Sequence, residues 1–537
     1  MRCLKIHCGD PAETSTSSFT CFILPFAYKP ELITPLHPPE KCYLPFEIPN
    51  LDWREKYLTE ETANVLFNQA KWFELEEGGY NHLKTFRIKQ GKDDEGKDRT
   101  CEVRCRPPRL VLFEWPDENR ITEKSDNGKT DYDLLQTGML IVELYFGECR
   151  DVFFEDLLWL NELFRYWQKP YQEHDHGPPE KYMDFFKDAG FIKFEDHYLT
   201  RWTKLLEPLV KLGDKYISLI PDLSDNDWRV HADSRAYVWT AAVLEKGGNS
   251  LRDFFNMPGA PACRFGHWIK LLNVDQPEES ELSTHGSTQF ERTWADKHTY
   301  KRWEEYGTFY GYNYHCGAML APQKKANGLP LCRHFREIYL DQALLLLYLR
   351  VTLFRFSKVL HEISVGARKD NGHDKTEEWS DRFKKLRWDF SLFTNLYQYP
   401  LLSNHQQSLE MYSIARAAMD VDDLFREVQQ EIHGCEEHLA NRQMEKISQL
   451  TARLTVVATG GLVFALAHGL PSFMESADKF DFDKPSGPSV LFYLGSVVLF
   501  FGIIAVIIYN SKELTRYFQR LADKDPYGGC PDNDRNK

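Results

Sequence analysis

Aromatic and basic side chains alternate over residues 290–315, and this is the stretch of the chain best suited to ligand chemistry. Aromatic faces can stack a nucleobase, and a neighbouring cation can hold its phosphate. The same composition is typical of protein cores and interfaces, which is the alternative interpretation. The residues that form the candidate ligand site are Arg292, Trp294, Lys301, Arg302, Trp303 and Tyr310.

The sequence lacks the short motifs that carry catalysis. It has no Walker-type phosphate loop and no glycine-rich dinucleotide fingerprint after a strand. It also has neither a nucleophile elbow nor a His-Glu-x-x-His helix. We therefore expect a binding protein and not an enzyme.

The chain is acidic, with 80 Asp and Glu residues against 66 Lys and Arg residues and a net charge of −14. Proteins that coat nucleic acids usually carry an excess of Lys and Arg, so we expect no direct nucleic-acid binding. A small site for a single nucleotide remains compatible with this charge.

The first 332 residues mix strand and helix patterns without a repeat. Residues 151–168 have the spacing of a helix with one apolar side. The sequence therefore predicts that residues 1–332 form an α/β cytoplasmic domain, and this domain is large enough to be a sensor. Short apolar runs predict β-strands at 19–27, 109–115, 138–146 and 235–245.

From residue 333 the pattern is helical. It predicts one helix to about residue 365, a second to about 398, and a third that begins near His405 and continues to Arg453. In the third helix apolar residues recur in alternating steps of four and three, which is typical of a seam that packs on other helices. Residues 333–453 therefore predict a helical bundle that ends in a long stalk helix. A bundle within one chain is the alternative.

Two apolar stretches of 20 residues, 454–473 and 490–509, follow the predicted stalk. Twenty helical residues span about 30 Å, the thickness of the hydrocarbon core of a bilayer. Basic residues flank the pair and acidic residues fill the connection at 474–489, which predicts an external loop and a cytoplasmic tail at 510–537. The expected location is the inner, cytoplasmic membrane, with several passes and both termini cytoplasmic.

The segment Leu454-Thr455-Val456-Val457-Ala458-Thr459, together with the order of the elements, resembles the CorA family of divalent-cation channels. The resemblance implies a homopentamer with an α/β cytoplasmic domain, a stalk and two C-terminal transmembrane helices per subunit. The family ends its first span with Gly-Met-Asn, but the matching place here holds Ser472-Phe473-Met474. Because the asparagine is missing, ordinary Mg²⁺ selectivity is in doubt.

The missing motif and the large first domain resemble a divergent CorA-like branch associated with type III CRISPR systems. That resemblance implies an antiviral pore in the lipid bilayer, gated by its cytoplasmic domain in response to a nucleotide-derived second messenger. Mg²⁺ is the rival regulatory ligand. The alternative functions are a Mg²⁺ or other divalent-cation transporter and a membrane-anchored scaffold without ion flux.

The resemblance also implies a pore lining on one face of the stalk and first span. The positions that match the family's pore-facing residues are Ser448, Thr451, Leu454, Ala458, Leu462, Ala465 and Gly469. Their spacing of three and four residues places them on one helical face.

Overall fold

The computed structural model describes residues 4–12, 16–28, 43–92, 98–113, 136–147, 152–165, 205, 235–245, 262–275, 288–323, 329–369, 376–397 and 402–476. The chain divides into two units, Met1–Glu431 and Ile432–Lys537. The sheet and the candidate site both lie in the first unit.

A mixed sheet of eleven strands forms the centre of the first unit. Its strands are β1 (Phe19–Tyr28), β2 (Tyr43–Pro45), β3 (Lys71–Leu75), β4 (Thr85–Lys92), β5 (Asp98–Cys105), β6 (Arg109–Phe113), β7 (Gln136–Phe146), β8 (Tyr237–Leu244), β9 (Thr299–Tyr300), β10 (Phe309–Tyr312) and β11 (Cys316–Pro322).

Strands neighbour one another in the order β2-β3-β6-β7-β1-β8-β11-β10-β9, and β5 joins β4 to β7. Every pairing is antiparallel except that of β8 with β11. The apolar runs at 19–27, 109–115, 138–146 and 235–245 are strands β1, β6, β7 and β8, so those four predictions are confirmed.

Successive side chains of a strand point to opposite sides, so β1 presents apolar residues to both faces of the sheet. Helices cover both of these faces. The rings of Phe22 and Phe164 lie 4.8 Å apart on one side, and those of Phe19 and Phe335 lie 6.4 Å apart on the other. The helices are α1 (Leu51–Glu55), α2 (Glu60–Ala63), α3 (Asn81–Lys84), α4 (Phe154–Phe164), α5 (Ala262–Asn273), α6 (Thr288–His298), α7 (Leu331–His334), α8 (Leu340–Lys369), α9 (Thr376–Tyr397), α10 (Gln406–Ala418) and α11 (Val421–Ser476).

A π-helical stretch, Phe335–Tyr339, joins α7 to α8. The wider turn leaves backbone carbonyls without their usual helical partners, and such stretches are common near functional sites. Here the indole nitrogen of Trp239 on β8 donates to the carbonyl of Phe335 at 3.1 Å, and the two rings stack at 4.2 Å. Trp239 therefore fixes this stretch against the sheet.

Buried ion pairs hold α7 and α8 on the sheet. Glu143 on β7 is 2% exposed and accepts hydrogen bonds from Arg336 at 2.7 Å and Arg109 at 3.1 Å. Close by in sequence, Asp341 at the start of α8 is paired with the buried guanidinium of Arg54 on α1. These pairs join the sheet, α1 and the helix that follows His334.

The predicted third helix is interrupted, contrary to the expectation of one helix from His405 to Arg453. Helix α10 ends at Ala418 and α11 begins at Val421. Between them Asp420 adopts a left-handed conformation with φ of 53°, which Asp tolerates better than most residues. Sequence periodicity missed this break because the apolar spacing continues through it.

None of the helices in the described part of the chain combines the length and the apolar character needed to cross a membrane. The predicted CorA-like fold class with two C-terminal transmembrane helices is therefore wrong, as is the predicted location in the cytoplasmic membrane. The homopentamer and its lipid-bilayer partner stay predictions. Residues 454–473 belong to the last part of α11, where Thr455, Thr459 and His468 interrupt the apolar side chains. The second predicted span, 490–509, lies outside the described residues.

Replacing Glu143 by Gln is expected to lower the free energy of unfolding by about 3 kcal/mol or more, because it leaves two guanidiniums buried without their counter-charge. Burial raises the pKa of Glu143, but Arg336 and Arg109 outweigh burial and hold it below the ordinary value of 4.5. The stabilisation is therefore present above pH 4.5 and is lost as the pH falls through the lower, folded-state pKa. Urea denaturation across this pH range measures both effects.

Glu102→Gln is the control, because Glu102 pairs with the half-exposed Arg104 at 2.6 Å. We expect it to cost at most about 1 kcal/mol. Equal losses in the two variants would contradict the central role of Glu143.

Candidate functional site

Four rings from three distant chain segments contact one another beside α7: Trp53, Tyr57, His334 and His405. The ring of His334 lies 5.1 Å from Trp53 and 5.3 Å from Tyr57. Trp53 and Tyr57 are 5.5 Å apart, and His405 stacks on Tyr57 at 4.3 Å. We call these four residues the aromatic–histidine cluster.

Helix α1 carries Trp53, and the turn that directly follows it carries Tyr57. Asn50 precedes it in a left-handed conformation and its carbonyl accepts the first hydrogen bonds of the turn, from Trp53 and Arg54. Arg54 points inward to its buried partner on α8. The rings of Trp53 and Tyr57, four residues apart, then meet on one side of the turn.

A short segment before α10 places His405. The amide of Thr59 donates to the carbonyl of Leu402 at 3.0 Å, and the hydroxyl of Ser403 donates to the carbonyl of Tyr57. The same hydroxyl accepts from the amide of His405 at 3.1 Å. His405 is therefore tied to the chain that carries Tyr57.

The cluster is open to solvent on one side and carries a cation. Trp53, Tyr57 and His334 are partly buried, whereas His405 is exposed. The guanidinium of Arg333 lies 4.7 Å from the centre of the Trp53 ring, and it donates to Glu337 at 3.4 Å. Aromatic faces beside a guanidinium form a surface on which a planar ring with a negative charge can bind.

Burial, with smaller contributions from Arg333 and His405, lowers the pKa of His334 to about 4. At neutral pH this imidazole is uncharged, so one ring nitrogen donates a hydrogen bond and the other accepts one. A neutral histidine can therefore recognise the polar edge of a heterocycle.

Three buried tyrosines lead from the cluster into the protein interior. Tyr339 is 2% exposed, and its ring lies 6.3 Å from His334 and 5.9 Å from Tyr310. Tyr310 in turn lies 6.3 Å from Tyr300. The rings of Tyr339, Tyr310 and Tyr300 thus form a continuous series from His334 to β9, which we call the tyrosine floor.

The structure brings two of the six predicted ligand residues into this neighbourhood. Tyr310 belongs to the floor and is fully buried, and Arg302 forms an ion pair with Glu410 on α10. The other four have different surroundings: Arg292 is exposed on α6, Trp294 stacks on His298, Lys301 pairs with Asp296, and Trp303 contacts Tyr306. Ligand binding by these six residues stays a prediction.

All seven predicted pore-lining residues lie on α11. Ser448, Thr451, Leu454 and Ala458 are exposed, and the Thr451 hydroxyl donates to the carbonyl of Ile447. Leu462, Ala465 and Gly469 lie further along the same helix. A pore lining by these residues stays a prediction.

Within the described residues, no group of three or more His, Cys, Asp or Glu side chains is placed to hold a metal ion. The role of Mg²⁺ as a regulatory ligand also stays a prediction. The aromatic–histidine cluster was missed by sequence reasoning because its members are spread over three segments and share no motif. Only the tertiary fold brings them together.

No family model, no curated protein and no solved structure matches this chain. The resemblance to the CorA family therefore rests on the residues quoted for it and stays a prediction.

His334 is expected to titrate near pH 4, which NMR spectra of ring-labelled histidine can measure. Trp53→Ala should raise this pKa toward the ordinary 6.5, because it exposes one face of the imidazole to water. Titration of His334 near 6.5 in the unmodified protein would contradict the packing described above.

Proposed function

We propose that the protein is a ligand-responsive regulator whose aromatic–histidine cluster binds a nucleotide-type small molecule. The observation that carries this proposal is the solvent-open group of rings beside Arg333. Stacking of a base on an aromatic side chain contributes about 1–3 kcal/mol, and it does so for every base. The neutral imidazole of His334 adds hydrogen bonds to the base edge.

The position of the cluster supports a regulatory role. Its rings come from α1 with the turn after it, from α7 and from the segment before α10, so one ligand would touch all three. A ligand shifts a conformational equilibrium only by binding one arrangement more tightly than another. A ring that contacts Tyr57 and the two histidines would favour one spacing of these segments, and α10 would respond because it begins directly after His405.

We also propose that the protein associates with a second copy of itself through α11. Four apolar residues on this helix are largely exposed: Met444 at 70%, Ile447 at 63%, Leu450 at 57% and Leu454 at 70%. Ile447, Leu450 and Leu454 follow steps of three and four, the spacing of a coiled-coil seam. An identical helix offers the matching seam, so a second copy is the partner that fits best.

The pore, divalent-cation transport, scaffold and antiviral effector functions implied by the family resemblance stay predictions. The two proposals above do not depend on them.

Adenosine 5′-diphosphate (ADP) is expected to bind the full chain and to raise its melting temperature. Tyr57→Ala should reduce the affinity at least tenfold, because it removes the ring that contacts both histidines. Isothermal titration calorimetry measures the affinity. Trp388→Ala is the matched control, since Trp388 is 61% exposed on α9 and belongs to no part of the cluster. Failure of adenosine, guanosine and pyrimidine nucleotides alike to bind would refute the proposed function.

The double variant Leu450→Glu with Leu454→Glu is expected to shift the protein to smaller assemblies in analytical ultracentrifugation, because charges would enter the seam. Ala452→Glu places one such charge at an exposed position on the opposite side of α11 and should leave the assembly unchanged. If the unmodified chain sediments as a monomer at micromolar concentration, self-association through α11 is wrong.

A further inference from the structure

A carboxylate is held at the far end of the tyrosine floor by two hydrogen-bond donors. Tyr300 donates its hydroxyl proton to Glu410. Arg302 Nη1 donates to both carboxylate oxygens of Glu410, at 2.9 and 3.1 Å. A hydroxyl and a guanidinium that converge on one anion are also the groups that bind phosphate.

This anion is connected to the aromatic–histidine cluster in two ways, through α10 and through the tyrosine rings. Glu410 follows His405 by five residues, in the first half of α10. Tyr300 is joined to His334 through the contacting rings of Tyr310 and Tyr339. A ligand whose ring stacks at Tyr57 and whose phosphates bind at Arg302 would lie along the first turns of α10.

Two buried hydroxyls between these points have no hydrogen-bond partner among the described residues. They belong to Tyr310 in the floor and to Ser408 on α10, between His405 and Glu410. Buried polar groups are nearly always hydrogen-bonded in folded proteins, to other groups, water or ligands.

We propose that Tyr300 and Arg302 form a phosphate-binding site and that Glu410 occupies it until a nucleoside phosphate displaces the carboxylate. This inference rests on the proposed nucleotide function and adds the location of the anionic group. Arg302 and Glu410 are both more than one-third exposed, and exposed ion pairs contribute little to stability. A phosphate with two charges and three oxygens can therefore replace a single carboxylate.

Displacement would also connect binding to movement. A phosphate held by Arg302 repels Glu410, and Glu410 is carried by α10. The ligand would thus hold the start of α10 through its contact with His405. At the same time it would break the hydrogen bond between Tyr300 on β9 and Glu410 in the next turn of α10. The same helix would be affected at two points by one ligand.

The test is to replace Glu410 by Gln in the full chain and to titrate the protein with inorganic pyrophosphate, ADP and adenosine. We expect pyrophosphate and ADP to bind about tenfold more tightly than to the unmodified chain, because the internal competitor has lost its charge. Affinity for adenosine should not change. Asp296→Asn is the matched control, since it removes an equal charge from the neighbouring pair with Lys301.

Two further variants keep the inference falsifiable if Glu410→Gln alters folding. Tyr300→Phe keeps the ring and removes the hydroxyl donor, and Arg302→Gln removes the cation. Both should weaken pyrophosphate and ADP binding while adenosine binding persists. The inference is overturned if Glu410→Gln binds pyrophosphate no more tightly than Asp296→Asn, or if Arg302→Gln leaves ADP affinity unchanged. If adenosine binds neither the unmodified chain nor any variant, the proposed function itself is refuted.

Discussion

The structure depends on one buried carboxylate, Glu143, in the interior strand β7 of the sheet. An ionised group at this depth is tolerated only because Arg109 and Arg336 neutralise it. Arg109 comes from the neighbouring strand, whereas Arg336 comes from the π-helical stretch above the sheet. The pairing therefore sets where the helix of residues 331–369 lies on the sheet, and apolar packing of α8 then fills the surrounding space.

The candidate site follows directly from these ion pairs. Arg336 comes two residues after His334, and Arg54 comes one residue after Trp53. Each buried guanidinium thus anchors the backbone of a neighbouring ring at the surface, and the hydrogen bonds between residues 57–59 and 402–405 bring His405 to the same place. Buried charge contributes little to net stability once desolvation is counted, but it selects one arrangement of the segments. Here that arrangement creates a ring cluster open to water.

Much of the sheet could be predicted from the sequence, because strands buried on both faces, such as β1 and β7, are continuous apolar runs. The order of the strands and the break at Asp420 could not, since neither leaves a periodic signal. The sequence predicted that the apolar stretch 454–473 continues the stalk helix as a membrane span. The stretch does continue the helix from Val421, but no helix among the described residues is long and apolar enough to cross a membrane. For the site, the aromatic window at 290–315 pointed to Arg302 and Tyr310. Trp53, Tyr57, His334 and His405 could not be predicted from the sequence, because only the fold places them together.

The central claim is that one nucleotide-type ligand connects α1, the π-helical stretch and the start of α10. Hydrogen–deuterium exchange of the full chain, with and without saturating ADP, tests it most directly. The account predicts slower exchange of the backbone amides at residues 53–59, 333–339 and 402–410 together, with little change in the buried strand β7. Unchanged exchange in these three segments with bound ADP, or protection confined to another part of the chain, would contradict the account.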